Sequence, residues 1–133
     1  MKPLVIAACL AILIEPTAAL SARPPSQPPK YGFPKLGSCY VSRIAVVEGR
    51  LGGSPDGDSG SQVVFRNGVI QTDYEVVRPI IRSRVGDKVT MCVIELPKDC
   101  PPNDFRGVVY RTHNWRTKEN WTLPNSAHDC GGA

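Results

Sequence analysis

The sequence has 133 residues and a formal net charge of +4, from 16 basic and 12 acidic side chains. This surplus is too small to indicate a nucleic-acid-binding protein, because such proteins usually concentrate far more positive charge. Five cysteines in a chain of this length indicate an oxidising compartment and a small core supported by disulfides.

The beginning of the chain has the composition of a secretory signal peptide. Lys2 precedes an unbroken apolar run over residues 4–14, and small residues follow it. A membrane-spanning helix needs about 20 apolar residues, so this run is too short to span a membrane. We therefore expect residues 1–21 to be a signal peptide, with cleavage before Ala22, and the protein to be periplasmic or extracellular.

A lipid anchor is the weaker alternative for the same segment. Residues 6–9 have the residue types of a bacterial lipoprotein box, in which Cys9 would be acylated. The apolar run continues past Cys9, however, and an anchor would be better served by a full apolar stretch before the cysteine.

Residues 22–36 contain five prolines and almost no apolar periodicity. Proline fixes φ and removes an amide donor, so this segment is predicted to be an extended, solvated arm. The folded domain is expected to cover residues 37–133.

The first strands are predicted from β-branched residues and turn signals. Residues 39–47 favour a strand with Tyr40, Ile44 and Val46 on one face. A loop rich in Gly, Ser and Asp follows, and then Asn67-Gly68 separates two further apolar segments. Asn-Gly tolerates the positive φ values of a two-residue type I′ turn, so these segments are predicted to form a hairpin.

The remaining elements follow a similar pattern. Pro79 predicts a bent connection or a short edge strand over residues 75–84. Residues 88–96 are apolar on both faces and predict a core strand covered on both sides. Short strands are predicted over residues 107–112 and 121–123. The whole pattern favours a small all-β barrel or sandwich of five or six strands, SH3-like or OB-like by analogy.

Four cysteines remain after removal of the leader, and an even number predicts two disulfides. Of the three possible pairings we favour Cys39 with Cys130, which closes the ends of the domain, and Cys92 with Cys100, which bridges the core strand to the following turn. His128 lies two residues before Cys130, so a zinc site or a Cys-His nucleophile is an alternative. Both uses need a thiolate, which oxidised cysteines lack.

Residues 57–60, Gly-Asp-Ser-Gly, match the tetrapeptide around the nucleophile of chymotrypsin-like proteases. That chemistry needs a histidine base and a buried aspartate on a much larger double barrel, so a surface loop is the preferred interpretation. Asp56, Asp58 and Ser59 could contribute oxygen ligands to a calcium ion, but such a site needs six or more ligands and no glutamate ligand follows in this segment. We expect no catalytic residue, no metal ion and no cofactor.

The densest mixture of aromatic and basic residues lies near the end of the chain and predicts a binding surface. Trp and Arg side chains can stack on or hydrogen-bond a sugar, a carboxylate or a partner protein. The preferred interpretation is nevertheless that the aromatic rings at 110 and 121 fill the core while the charged residues solvate its rim, and the binding surface is the alternative. The candidate residues are Tyr110, Arg111, His113, Trp115, Arg116 and Trp121, with Trp115 and Arg116 expected to be the most exposed.

Several short segments form a combination that spans most of the mature chain: Gly-Ser-Cys-Tyr-Val-Ser at 37–42, Asn-Gly at 67–68, Ser-Arg-Val-Gly-Asp at 83–87, Cys-Pro-Pro at 100–102, Arg-Gly at 106–107, and the terminal His-Asp-Cys-Gly-Gly-Ala. With these segments the chain resembles an uncharacterised family of small exported bacterial proteins. The resemblance implies a bacterial periplasmic or secreted location. It implies no activity, cofactor or catalytic residue.

The sequence thus favours a non-catalytic binding or inhibitor module of the cell envelope, comparable in size and cysteine use to periplasmic lysozyme inhibitors. Its partner would be an envelope protein or a small or glycan ligand. The alternative is a structural or accessory subunit that pairs with a larger envelope protein through an exposed sheet edge.

Overall fold

The computed structural model describes residues 33–132, and its secondary structure is almost entirely β. Six strands and one short helix follow in chain order: β1 (Cys39–Gly49), β2 (Ser61–Phe65), β3 (Ile70–Asp73), α1 (Arg78–Ile81), β4 (Lys88–Glu95), β5 (Val109–Asn114) and β6 (Asn120–Pro124). The predicted signal peptide, residues 1–21, and residues 22–32 of the predicted arm lie outside the described residues. The part of the chain from residue 33 to residue 132 contains no helix that could span a lipid bilayer.

The six strands form one antiparallel sheet in the order β3-β2-β1-β4-β5-β6. The sheet curls until its two edge strands, β3 and β6, come into contact. The fold is therefore a curled half-barrel, which confirms the all-β prediction and its five to six strands. The side chain of Gln71, on β3, links the two edges of the sheet. Its Nε2 donates hydrogen bonds to the carbonyl oxygens of Tyr110 (3.1 Å) and Leu123 (3.0 Å).

The core lies on the concave face of the curled sheet. Alternate residues of each strand point inward, as the two-residue period of a strand requires. Ile80 of α1 is also buried there, so the helix covers part of the core. The buried apolar side chains are Tyr40, Ile44, Val63, Phe65, Ile80, Val89, Met91, Val93, Val108, Tyr110, Trp121 and Leu123.

Strand β4 lies in the middle of the sheet, but only one of its faces is covered. Val89, Met91 and Val93 are buried, whereas Ile94 is 47% exposed. The prediction that both faces of this strand are covered is therefore wrong. An antiparallel sheet that curls around a single core leaves its convex face to solvent, and that convex face is the outer surface of the domain.

Strand β1 changes partner halfway along its length. Residues 39–43 pair with β4, whereas residues 44–49 pair with β2, and the register shifts between Ile44 and Val46. A bulge of this kind reverses the facing of the residues beyond it. Val46 is consequently 37% exposed and does not share the buried face of Tyr40 and Ile44 as predicted.

The hairpin predicted at Asn67-Gly68 is confirmed, but its turn type is not. Phe65 accepts a hydrogen bond from the amide of Gly68 and donates its own amide to Val69. Among these residues only Gly68 has positive φ, at +87°. The connection is thus a type I turn followed by a glycine bulge, and not the type I′ turn that needs two positive φ values.

The connection after β3 contains a single helical turn, α1. Pro79 lies in the first turn, where its missing amide costs no hydrogen bond. The Ser83 hydroxyl donates to the Pro79 carbonyl (2.9 Å) at the end of the turn. The bent connection predicted for residues 75–84 is therefore helical at its centre.

Both disulfides are present, with a pairing that differs from the favoured one. Cys39 bonds to Cys92, and Cys100 bonds to Cys130. The predicted bonds between Cys39 and Cys130 and between Cys92 and Cys100 are wrong. Cys39 and Cys92 are direct cross-strand partners of β1 and β4, a neighbour relationship that the spacing of cysteines does not reveal.

Candidate binding face

The structure separates the six predicted binding residues into three groups. Tyr110 and Trp121 are buried in the core, and burial raises the pKa of the Tyr110 hydroxyl to about 12. Arg111 and His113 alternate with buried residues of β5 and therefore lie on the convex face, and Trp115 follows them. The side chain of Arg116 is directed away from Trp115 and forms an ion pair with Asp87.

Trp115 is held in a fixed orientation on this face although 47% of it is exposed. Its indole Nε1 donates to Thr90 Oγ1 (2.9 Å). The His113 ring packs against it in a T-shaped arrangement, with ring centroids 5.0 Å apart, and His113 is itself hydrogen-bonded to Asn120 (3.0 Å). A half-exposed aromatic ring that is already oriented loses little conformational entropy when a ligand binds to it.

Cationic side chains surround Trp115. The Nζ atoms of Lys88 and Lys118 lie 6.0 Å and 5.5 Å from the centre of the indole ring. Arg43 is the cross-strand partner of Lys88, and Arg111 is that of Cys92. We use the name basic face for this part of the convex surface, which comprises Arg43, Lys88, Arg111, His113, Trp115 and Lys118.

None of these cations forms an ion pair with a carboxylate within residues 33–132. The strand positions between the Arg43–Lys88 pair and the Cys92–Arg111 pair carry no acidic residue. The ion pairs among the described residues involve three other arginines, at positions 82, 106 and 116. The cations of the basic face thus have no charged partner in the described part of the chain.

Arg116 has a structural role because both ends of its guanidinium contact Asp87. Its Nε and Nη2 atoms donate to the Asp87 carboxylate at 2.6 Å and 2.9 Å. Burial alone would raise the pKa of Asp87, but hydrogen bonds from Arg116, Asn114 and the Arg84 amide outweigh it and lower the pKa to about 2. Arg116 is therefore engaged by Asp87 and is not counted as part of the basic face.

The sequence interpretation missed the contributions of β1 and β4 to this face. Lys88 and Thr90 alternate with the buried Val89 and Met91, and this alternation was available as a signal. Cys92 and Ile94 mask this alternation, because two apolar residues on the outer side of the strand are typical of a second buried face. The position of Arg43 could not be derived, because it depends on β1 pairing with β4.

A depression of about 620 Å³ lies on another side of the domain, between α1 and the loop after β5. Two of its arginines are already paired, Arg82 with Glu119 and Arg116 with Asp87. It is therefore a weaker candidate for a ligand site than the basic face. Its lining residues are Ile81, Arg82, Ser83, Arg84, Arg116, Thr117 and Glu119.

The alternative sites considered from the sequence gain little from the structure. All four cysteines of the described chain are disulfide-bonded, namely Cys39, Cys92, Cys100 and Cys130. None of them is therefore available as the thiolate that a zinc site or a Cys-His nucleophile needs. Over residues 33–132 no group of three or more His, Cys, Asp or Glu side chains could hold a metal ion.

The hydroxyl of Ser59, in the Gly-Asp-Ser-Gly loop, accepts a hydrogen bond from the Leu51 amide (3.4 Å). The side-chain partners of the two histidines are neutral: Asn120 and Trp115 for His113, and Tyr74 for His128. No arrangement of a nucleophile with a histidine base is formed by these contacts.

Comparisons with protein families, with curated proteins and with solved structures found no match to this chain.

Proposed function

We propose that this protein is an exported, non-catalytic binding module of the cell envelope and that its basic face binds an acidic glycan. The observation that carries the proposal is the oriented, half-exposed Trp115 among cations that have no carboxylate partner in the described chain. An indole ring stacks on the apolar face of a sugar, and lysine and arginine side chains bind its anionic substituents.

A glycan fits this surface better than a protein partner does. The centre of a protein interface is usually apolar and rich in aromatic residues. Here one tryptophan is surrounded by hydrogen-bonding groups, which include Thr90, Asn120 and Thr122 at strand positions of the same face. A polar surface with a single aromatic platform is suited to a ligand that consists mostly of hydroxyl and acidic groups.

The proposed location rests on the disulfides and the leader. Two disulfides are compatible with an oxidising compartment, and the sequence of residues 1–21 is typical of a signal peptide. The accessory-subunit alternative would need an open strand edge. Contact between β3 and β6 and the hydrogen bonds of Gln71 to the carbonyls of Tyr110 and Leu123 weigh against that alternative.

Binding to dextran sulfate, compared with uncharged dextran, tests the proposal because the two polymers share a sugar backbone. We expect measurable binding to dextran sulfate and none to dextran. Trp115→Ala should weaken binding by about tenfold, since stacking and cation–π contacts of this kind are worth about 1 to 2 kcal/mol. Tyr74→Ala is the matched control, because Tyr74 is also half-exposed but contacts Arg50 and His128 elsewhere.

Poly-glutamate separates glycan binding from simple charge attraction, because it is acidic and has no sugar ring. Equal affinity of the protein for poly-glutamate and dextran sulfate, unaffected by Trp115→Ala, would refute the proposed glycan specificity. Thermal unfolding of each variant shows whether it is folded.

A further inference from the structure

A small cationic depression lies at one end of the basic face, where the β2–β3 turn approaches β1. It has a volume of about 310 Å³ and is lined by Val41, Ser42, Arg43, Arg66, Asn67 and Lys88. Arg43 and Lys88 come from neighbouring strands, whereas Arg66 comes from the hairpin turn. The fold thus brings three cationic side chains from separate parts of the chain to one concave site.

None of these three cations forms an ion pair with a carboxylate within residues 33–132. Arg43 is positioned by a hydrogen bond from its Nη1 to the Gly86 carbonyl (2.8 Å). Ser42 Oγ accepts a hydrogen bond from the Asn67 amide (3.3 Å), and a hydroxyl that accepts one bond can still donate another to a ligand. The depression therefore offers one neutral donor beside three charged ones.

Without a bound anion, repulsion between these cations destabilises the folded domain. Arg43 and Lys88 are direct cross-strand partners on β1 and β4, and like charges in this position destabilise an antiparallel sheet. The backbone of Arg66 is tied to the same site, because its amide donates to the Arg43 carbonyl (2.9 Å). A bound anion would offset the repulsion between the three side chains.

We infer that this depression is an oxyanion subsite that binds a phosphate or sulfate group carried by a sugar. Three converging cations exceed what a single carboxylate would neutralise, whereas a phosphate or sulfate group offers three or more acceptor oxygens. Lys88 lines the depression and also lies 6.0 Å from the centre of the Trp115 ring. One ligand can therefore place its sugar on Trp115 and its anionic group among the three cations, and this pairing of sugar with anion rests on the proposed function.

Titration of the protein with inorganic phosphate and with glucose 6-phosphate, at constant ionic strength set with chloride, tests the subsite. We expect both ligands to bind and glucose 6-phosphate to bind more tightly. Arg66→Gln should weaken both by about tenfold, the effect of losing one charge-assisted hydrogen bond. Arg84→Gln removes the same charge from an exposed arginine outside the depression and should leave both affinities unchanged.

Different results would refute the anion subsite and the placement of the sugar on Trp115. Phosphate that binds no better than chloride, or equally well to Arg66→Gln and Arg84→Gln, would overturn the subsite even if Trp115→Ala still weakened dextran sulfate binding. Trp115→Ala that leaves glucose 6-phosphate affinity unchanged, while Arg66→Gln weakens it, would retain the anion subsite and overturn the placement of the sugar.

Discussion

The side chain of Gln71 accepts a hydrogen bond from the indole Nε1 of Trp121 at 2.9 Å, which links the two edge strands of the sheet inside the core. The same Oε1 atom accepts a hydrogen bond from Thr112 Oγ1 at 2.7 Å. With the two bonds that Nε2 donates to the carbonyls of Tyr110 and Leu123, the buried amide has four partners. Gln71 closes the half-barrel where no strand pairing does so.

Gln71→Leu should therefore destabilise the domain strongly. The change leaves the Thr112 hydroxyl, the Trp121 indole and two carbonyl groups without this partner, and each buried unsatisfied group costs about 1 to 3 kcal/mol. We expect a loss of about 3 kcal/mol or more in urea unfolding. Gln62→Leu is the control: Gln62 lies on the neighbouring strand and its hydrogen bond to Glu48 is only partly buried, so it should cost less than about 1 kcal/mol.

Stability should fall in acid through the contact between Asp87 and Arg116. The pKa of Asp87 is lowered to about 2 from 3.8, so its contribution is complete above pH 3.8 and is lost as the pH falls through about 2. We expect about 1 kcal/mol, because Arg116 is partly exposed and screened by solvent. The stability difference between the wild type and Asp87→Asn should shrink between pH 5 and pH 2. A difference that stays constant over this range would contradict the assignment.

The disulfide pairing can be checked by peptide mapping of the unreduced protein. We expect one cross-linked species that contains Cys39 and Cys92 and another that contains Cys100 and Cys130. The two bonds close loops with sequence separations of 53 and 30 residues, so each stabilises the fold by at most about 4 kcal/mol in the loop-entropy model. A fragment that links Cys39 to Cys130 would refute the pairing.

Two glycines with similar φ values should respond very differently to alanine. Gly68 has φ of +87° and nothing within 4 Å of an added Cβ, so Gly68→Ala should cost only the backbone strain, about 1 to 2 kcal/mol. Gly60 has φ of +89°, and an added Cβ would overlap the carbonyl oxygen of Asp73. Gly60→Ala should be at least about 2 kcal/mol more destabilising than Gly68→Ala in the same unfolding assay.

The sequence predicted the features that depend only on residues close together in the chain. The hairpin at Asn67-Gly68, the all-β class and the presence of two disulfides all follow from local composition and turn chemistry. The disulfide pairing does not, because Cys39 and Cys92 meet only through the pairing of β1 with β4. The exposure of Ile94 likewise depends on which face of β4 the sheet curls around.

Only part of the candidate site could be predicted from the sequence, because its residues come from distant parts of the chain. Trp115 and Arg116 are adjacent in sequence, but the loop after β5 sends Trp115 to Thr90 and Arg116 to Asp87. Both residues keep the exposed positions predicted for them, but the guanidinium of Arg116 forms an ion pair with Asp87. Lys88 and Arg43 come from strands far away in the chain, so only the topology brings them to the tryptophan.

The two tryptophans allow a direct test of the basic face. Each gives one indole N–H signal in a ¹⁵N-correlated NMR spectrum, and these N–H groups donate to Thr90 for Trp115 and to Gln71 for Trp121. Titration with dextran sulfate should shift the Trp115 signal and leave the buried Trp121 signal in place. A titration in which the Trp115 signal stays fixed while signals from other surfaces move would contradict glycan binding at this face.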